Sequence, residues 1–138
     1  MTQSEWLAFL QHGTRTAKLA TVRKDGRPHV VPIWFVLDGE DIVFTTGAGS
    51  VKASAMRRDE RVSLCVDDER PPYAFVVVEG RARLSDDLEA MLPLATAIGR
   101  RYMGSERADE FGRRNAVPGE LLVRVSPTRV LTDADVTG

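Results

Sequence analysis

Reactive side chains are scarce in this sequence of 138 residues. It contains one cysteine and two histidines, so no intrachain disulfide can form. The positions of His12, His29 and Cys65 do not have the spacing of a zinc site, and no metal site is expected. No serine lies in the sharp strand-to-helix motif of a hydrolase nucleophile. We therefore expect the chemistry to depend on a bound group rather than on side chains alone.

Excess positive charge and long apolar runs are also missing. Lys and Arg total 19 against 20 Asp and Glu, without the excess that binding to a nucleic-acid backbone requires. The longest apolar run, residues 30–37, is far shorter than the roughly 20 residues of a membrane helix. Residues 1–13 lack the basic start of a signal peptide. A soluble, cytoplasmic protein is expected, with Cys65 as a buried structural thiol.

Segments rich in β-forming residues dominate the first third of the chain. Residues 15–22 and 30–37 flank Asp25-Gly26, a typical hairpin turn, and a second turn at 38–41 leads into residues 42–46. These segments predict three strands in an antiparallel meander. The apolar character of residues 30–37 predicts a strand buried on both faces, while Pro32 indicates an edge, a bulge or a break.

The remaining pattern mixes helices with further strands in what we interpret as a single domain over residues 1–138. A short amphipathic helix is expected at the start, capped by Ser4 and ended by Gly13. Another is expected after Asp86 and Glu89, with Pro93 as a kink or its true start. Helix 51–58 and strands at 61–66, 73–84, 120–125 and 128–132 complete the prediction. The fold class is mainly β with peripheral helices, a six- to seven-stranded antiparallel sheet closed as a small barrel.

The segment Gly47-Ala48-Gly49-Ser50 carries the clearest local indication of a binding site. It links a β segment to a helix whose second residue is Lys52. Free N–H groups and a partial positive charge at a helix start favour an anion, and Lys52 adds a full charge there. The sequence pattern alone leaves two interpretations open, a phosphate site or an ordinary helix cap beside a solvated lysine.

The order of several motifs resembles the split β-barrel flavin and deazaflavin oxidoreductases, the pyridoxamine-phosphate-oxidase-like superfamily. These motifs are ATVRKDGRPH at 20–29, VPIWF at 31–35, VFTT at 43–46, Lys52, and RRDERVSL at 57–64. Three later motifs, VEGRA at 78–82, RYMG at 101–104 and GELLVRV at 119–125, resemble the branch that uses coenzyme F420. The resemblance covers nearly the whole chain and implies a split, FMN-binding-protein-like barrel.

The resemblance also implies a set of cofactor-binding residues. Strand residues Pro32, Ile33 and Trp34 would lie along the flat ring of the cofactor. Thr45, Thr46, Ser50, Val51 and Lys52 match the phosphate end, with Lys52 as the phosphate-binding lysine. Val51 stands where FMN-using oxidases place an arginine, and Phe75 stands where they place a glutamine. Both departures favour the deazaflavin F420 over the alternative, FMN.

Other candidate residues have plausible structural explanations as well. Arg23 and Lys24 are candidate contacts for the oligoglutamate tail of F420, although a run of surface charges is usually just solvated. Trp34 and Tyr73 could stack on a planar ring, or pack in the core or at a subunit interface. His29 is a candidate proton donor or simply a hydrogen-bonded histidine. No catalytic side chain is assigned.

The resulting prediction is an oxidoreductase that transfers hydride from reduced coenzyme F420 to an electron-poor small molecule, such as an activated alkene or a quinone. The resemblance implies a homodimer with sites across its interface, to which Tyr73 and Phe75 of either chain contribute. Two alternatives remain open. One is an FMN-dependent oxidase or reductase, and the other is a non-catalytic carrier of F420 or haem.

Overall fold

Seven antiparallel strands and four helices make up the fold. The computed structural model describes residues 1–138. The elements are α1 (Gln3–Gln11), β1 (Ala17–Val22), β2 (Pro28–Ile33), β3 (Val36–Asp38), β4 (Asp41–Gly47), α2 (Val51–Arg58), β5 (Arg61–Asp67), β6 (Phe75–Ser85), α3 (Leu88–Met103), α4 (Ala108–Asn115) and β7 (Glu120–Asp133). This confirms the predicted mainly β class with peripheral helices.

The strands form one sheet in the order β2-β1-β5-β6-β7-β4-β3. The sheet does not close, because β2 and β3 lie at its opposite edges and do not pair with each other. Only Trp34 and Phe35 connect these two strands along the chain. The fully closed barrel expected from the strand pattern is therefore wrong, whereas the split barrel implied by the family resemblance is confirmed.

Residues 30–37 do not form the single buried strand that their apolar character predicted. The segment breaks after Ile33 and supplies both edge strands, so the predicted three-strand meander is also wrong. Val30 is 62% exposed on the outer face of β2, and burial alternates along that strand. Pro32 explains the edge position, because proline has no N–H to donate to a further strand.

Local turns follow the sequence prediction. Between β1 and β2, the Arg23 N–H donates to the Arg27 carbonyl at 2.9 Å, and Gly26 adopts a φ of +86°. A left-handed backbone of this kind favours glycine, which has no Cβ to clash. The β3–β4 hairpin pairs Asp38 with Asp41, as the second predicted turn requires.

The core lies inside the curved sheet, beneath α1. Its largest fully buried side chains include Phe35, Phe44, Leu10 and Leu19. The two predicted C-terminal β segments form one long strand, β7. Its pairing with β6 shifts register between Glu79 and Gly80. A Cβ on Gly80 would lie 2.6 Å from the Ser126 carbonyl oxygen, so glycine permits this close approach of two backbones.

Two helix caps differ from the sequence prediction by one or two residues. Thr2, not Ser4, caps α1 and forms a reciprocal capping box with Glu5. Asp87, not Asp86, caps α3 by accepting hydrogen bonds from the N–H groups of Glu89 and Ala90. Pro93 lies inside α3 rather than at its start. None of the helices has the length and apolar character needed to cross a membrane.

Helix α4 lies in the arginine-rich region before Asn115, for which the sequence pattern predicted no element. It packs closely on α3 through two glycines. A Cβ on Gly112 would overlap the Thr96 side chain, and one on Gly99 would lie 2.6 Å from the Phe111 Cβ. This contact fixes which face of α4 packs against α3.

Candidate functional site

A cleft of about 390 Å³ opens where β2 meets helices from three parts of the chain. Five of the predicted site residues line it, namely Pro32, Ile33, Trp34, Thr45 and Lys52. Four lining residues were not predicted, Ile98 from α3 and Phe111, Arg114 and Asn115 from α4. The lining includes two cations and no carboxylate, a composition suited to a flat ligand that carries negative charge.

Aromatic rings form one wall of the cleft. Trp34 stacks on Tyr102 with ring centroids 5.0 Å apart and an interplanar angle of 5°. Phe111 lies 6.1 Å from Trp34 at a tilt of 40°. Trp34 remains 41% exposed, so part of a large apolar ring faces the cleft. Such a surface can pack against a planar conjugated molecule.

Tyr102 and Arg101 hold the Trp34–Phe35 connection in place. The Tyr102 hydroxyl donates to the Arg15 carbonyl at 2.8 Å and accepts from the Phe35 N–H at 3.3 Å. Burial raises the pKa of the Tyr102 phenol, so the hydroxyl keeps its proton at neutral pH. The Arg101 guanidinium donates to the carbonyls of Leu10, Gly13 and Phe35. The RYMG motif thus has a structural role, linking α3 to the junction of the two edge strands.

The start of α2 lies at one end of the cleft. The Ser50 hydroxyl accepts from the Ala53 N–H at 3.1 Å and lies 3.0 Å from the Thr46 hydroxyl. The N–H groups of Val51 and Lys52 have no partner within the helix, because they belong to its first turn. No acidic residue lies in that turn. Free donors, the helix dipole and the lysine charge therefore favour a bound phosphate.

Neighbouring threonines on β4 have different environments. Thr45 is half-buried and lines the cleft, whereas Thr46 is 5% exposed and its hydroxyl contacts Ser50. Successive strand residues point to opposite faces. Thr45 is accordingly the hydroxyl available to a ligand, and Thr46 stabilises the turn before α2.

Arg23 and Lys24 lie outside the cleft, at the exposed tip of the β1–β2 hairpin. The six residues of β2 separate this tip from the cleft by about 20 Å, given the usual rise per strand residue. Helix α2 connects the two regions, because its C-terminal Arg58 donates to the Val22 carbonyl at 3.4 Å. Cations therefore occur at both ends of α2. Lys52 lies at the cleft, and Arg58 lies at the other end, next to the hairpin that carries Arg23 and Lys24.

Tyr73, Phe75 and Val51 do not enter the cleft of their own chain. Phe75 pairs with Asp133 at one end of β7, whereas the turn before α2 lies beside the other end of that strand. Tyr73 is 45% exposed with a φ of +59°, and Val51 is 53% exposed. Tyr73 and Val51 are therefore accessible to another molecule, whereas Phe75 is half-buried.

His29 and Cys65 are likewise away from the cleft. His29 pairs with Thr21 near the hairpin, and its Nδ1 is buried without a hydrogen-bond partner. Cys65 is half-buried, not fully buried as predicted, since it points to the outer face of β5. Burial raises the pKa of its thiol, which keeps it protonated and unreactive.

The unpredicted residues of α4 do carry a recognisable sequence pattern. Ala108, Phe111, Gly112 and Asn115 recur at helical spacing, which places them on one face. Acidic residues occupy the first turn and arginines the last, the arrangement that the helix dipole favours. Because this face has little apolar content, hydrophobic periodicity alone does not predict the helix.

The sequence relationships agree with this architecture. The family model for pyridoxamine 5'-phosphate oxidase matches residues 2–132. The chain belongs to this family. A curated relative is the F420H(2)-dependent biliverdin reductase of Mycobacterium tuberculosis. It is 32% identical over 133 residues, which are 94% of this chain and 87% of that protein.

Solved structures of similar proteins have the same fold. A conserved hypothetical protein from Mycobacterium tuberculosis matches with a TM-score of 0.84 and 28% identity over 96% of this chain and 84% of its own. A structure described as an F420 reductase matches with a TM-score of 0.70 and 26% identity, covering 90% of this chain and 94% of that one. The predicted resemblance to the pyridoxamine 5'-phosphate oxidase family and its F420-using members is confirmed, and membership places the protein among oxidoreductase enzymes.

Proposed function

We propose that the protein binds reduced coenzyme F420 and uses it to reduce an electron-poor small molecule. One observation carries the proposal: the aromatic wall at Trp34 and the anion site at Lys52 occur in the same cleft, which has no carboxylate in its lining. A planar ring joined to a phosphate matches both features. The two F420-dependent relatives named above support the choice of cofactor.

The residues of the cleft have separate roles in this proposal. Lys52, with the free N–H groups of the first turn of α2, binds the phosphate, and Thr45 donates its hydroxyl beside it. The edge strand β2 and Trp34 orient the ring, and the aromatic wall excludes water from one side of it. Reduced F420, when bound, supplies the hydride. No side chain of the cleft is assigned as the proton donor.

Surface charge favours F420 over FMN as the ligand. The hairpin residues Arg23 and Lys24, together with Arg58, continue the line of cations that starts at Lys52. FMN ends at its phosphate, whereas F420 carries a further anionic tail that these residues can attract. The arginine that FMN-using oxidases place at the position of Val51 is missing here. We infer that the tail contacts make up for the lost charge.

We further propose a homodimer whose two cofactor sites each use both chains. Residues that pair across neighbouring strands form a row on the outer face of the sheet. The row runs from Pro32 at the cleft through Lys18, Cys65 and Val77 to Leu131. Val30 beside it is 62% exposed and Leu131 is 42% exposed. Exposed valine and leucine side chains on one face of a sheet are typical of a subunit interface. Tyr73 and Phe75 would then reach the partner's cleft.

The acceptor is proposed to be a conjugated molecule that accepts hydride at an activated double bond, or a quinone. Biliverdin, the acceptor named for the relative from Mycobacterium tuberculosis, is the first compound to test.

Titration of the purified protein with F420 and, separately, with FMN tests the cofactor assignment. We expect saturable binding of F420, followed by its fluorescence, and weak or no binding of FMN. Binding of FMN alone would contradict the proposal and favour an FMN-dependent enzyme. Tight F420 binding without oxidation of the reduced form by any acceptor would instead identify a carrier.

A further inference from the structure

Arg114 is the second cation of the cleft and has no anionic partner in the protein. It lies in the last turn of α4 and lines the cleft together with Asn115. Its guanidinium carbon is 5.8 Å from the centre of the Phe111 ring. Arg114 takes part in none of the protein's ion pairs.

Arg107 provides an internal comparison on the same aromatic ring. Its guanidinium carbon lies 5.2 Å from the Phe111 centroid, but Glu110 neutralises it at 3.4 Å. Two guanidinium groups therefore flank one ring, and only the one that borders the cleft is left without a carboxylate. An unpaired arginine supported by an aromatic ring is ready to bind a carboxylate in a two-pronged geometry.

The position of Arg114 is fixed relative to the aromatic wall. Gly112 and Gly99 allow α4 to pack against α3 so closely that a Cβ at either position would clash. The Asn115 side-chain amide donates to the Phe111 carbonyl at 3.0 Å and secures the helix end. Little conformational freedom of the backbone is lost when a ligand binds here, which favours affinity.

The two cations of the cleft belong to different walls. Lys52 lies on α2, which packs on β1 and β6, whereas Arg114 lies on α4, which packs on α3. A cofactor phosphate at the start of α2 engages Lys52 and the helix N–H groups. Arg114 stays available for a second anion at the aromatic end of the same cleft.

We propose that Arg114 is a specificity-determining residue that binds a carboxylate of the acceptor, and that the acceptor is a planar conjugated molecule carrying such a group. This inference rests on the proposed function. In the reaction, the acceptor would gain a hydride from reduced F420 and a proton from water, while the coenzyme, oxidised by loss of the hydride, would return one proton to water. Arg114 forms no covalent bond and only holds the acceptor beside Trp34.

The test compares Arg114→Gln with Arg113→Gln. Both substitutions remove one positive charge from the last turn of α4, but Arg113 is exposed, unpaired and outside the cleft. Biliverdin, which carries carboxylates, and its neutral dimethyl ester serve as probes. Calorimetric titration measures the affinity for each probe, with and without oxidised F420, so that turnover is not needed.

We expect the wild-type protein and Arg113→Gln to bind the acid about tenfold more tightly than the ester, as for a charged hydrogen bond. Arg114→Gln should bind both probes equally. The inference is overturned if the wild type shows no preference for the acid, if it binds neither probe, or if Arg114→Gln retains the preference. It is also overturned if Arg114→Gln weakens F420 binding instead, because Arg114 would then be a cofactor ligand.

Failure of the underlying function has a different signature. A wild-type protein that does not bind F420 at all would contradict the proposed function. The preference for acid over ester in the cofactor-free titration would still report on Arg114.

Discussion

At the scale of single residues, Lys52 is the main proposed contact for the phosphate of the cofactor. Elsewhere on the molecule, ion pairs such as Lys18 with Asp67 balance the surface charge, but no acidic residue lines the cleft beside Lys52. A lysine in the first turn of a helix opposes the dipole of that helix. A bound phosphate would remove this conflict, so we expect ligand binding to stabilise α2.

Lys52→Ala is expected to weaken F420 affinity by about 10- to 100-fold, the usual effect of losing a charged hydrogen bond. Fluorescence titration measures the change. Arg100→Ala is the matched control, because Arg100 is an exposed cation of α3 outside the cleft. Equal affinities for the Lys52 variant and the wild type would remove the phosphate assignment.

Trp34 belongs both to the cleft and to the junction of the two edge strands. Its position depends on Tyr102, which supplies a stacking ring and a hydroxyl that bonds to the backbone at Arg15 and Phe35. These two contributions can be separated by mutation.

Tyr102→Phe keeps the ring and loses the hydroxyl, so we expect the free energy of unfolding to fall by about 1 to 2 kcal/mol. F420 affinity should change little. Tyr102→Leu also removes the stacking partner of Trp34 and should weaken F420 binding clearly more. Urea unfolding and F420 titration of both variants provide the comparison. If Tyr102→Phe reduces affinity as strongly as Tyr102→Leu, the stacked ring does not determine the cleft wall.

At the scale of secondary-structure elements, an element could be predicted from the sequence when interactions between neighbouring residues define it. Helix α2 has the predicted bounds, Val51–Arg58, because a serine cap and its neighbours define it. Helix α4 escaped prediction because the face that packs on α3 is formed mainly by small and polar residues such as Gly112, so its helical spacing does not stand out as hydrophobic periodicity. Arg114, carried by this helix, was missed for the same reason.

The glycine contact makes a specific prediction for α4. Gly112→Ala should lower the free energy of unfolding by about 1 to 3 kcal/mol, because the added methyl group meets Thr96. Gly49→Ala is the control, since a Cβ there meets nothing within 4 Å. Urea denaturation distinguishes the two variants. Equal free energies of unfolding for the two variants would mean that α3 and α4 can move apart without loss of stability.

The strand order was the least predictable part of the fold. Residues 30–37 are continuous in sequence and apolar throughout, so nothing local shows that they break into strands at opposite edges of the sheet. All five of the predicted residues that line the cleft, Pro32, Ile33, Trp34, Thr45 and Lys52, were named as candidate cofactor residues through family resemblance. The physical pattern alone indicated only the turn and helix around Lys52.

At the scale of the whole molecule, the outer face of the sheet connects the cleft to the proposed subunit interface. Pro32 lines the cleft, and the row that it starts ends at Leu131, four strands away. Leu131 is therefore remote from the cleft of its own chain, and an effect of its substitution on F420 binding would support the proposed contribution of a partner chain.

Leu131→Glu is expected to give a monomer of about 15.2 kDa, because a carboxylate would be buried in the interface. The affinity for F420 should fall when the dimer is lost. The control is Leu92→Glu on α3, because Leu92 and Leu131 are almost equally exposed, 43% and 42%. This variant should keep the mass of the wild-type dimer. Sedimentation measures the mass, and circular dichroism verifies folding. A dimeric Leu131→Glu variant would place the interface elsewhere.

The split between β2 and β3 also determines when the sheet can assemble. Each edge strand has a local hairpin partner, but β4 needs β7, whose Val123 lies opposite Phe44 almost eighty residues earlier. Contacts this distant in sequence are slow to form. During synthesis, β1 can pair with β5 well before the chain is finished, but β4 keeps an exposed edge until β7 leaves the ribosome, and this interval is when we expect the nascent chain to depend most on chaperones.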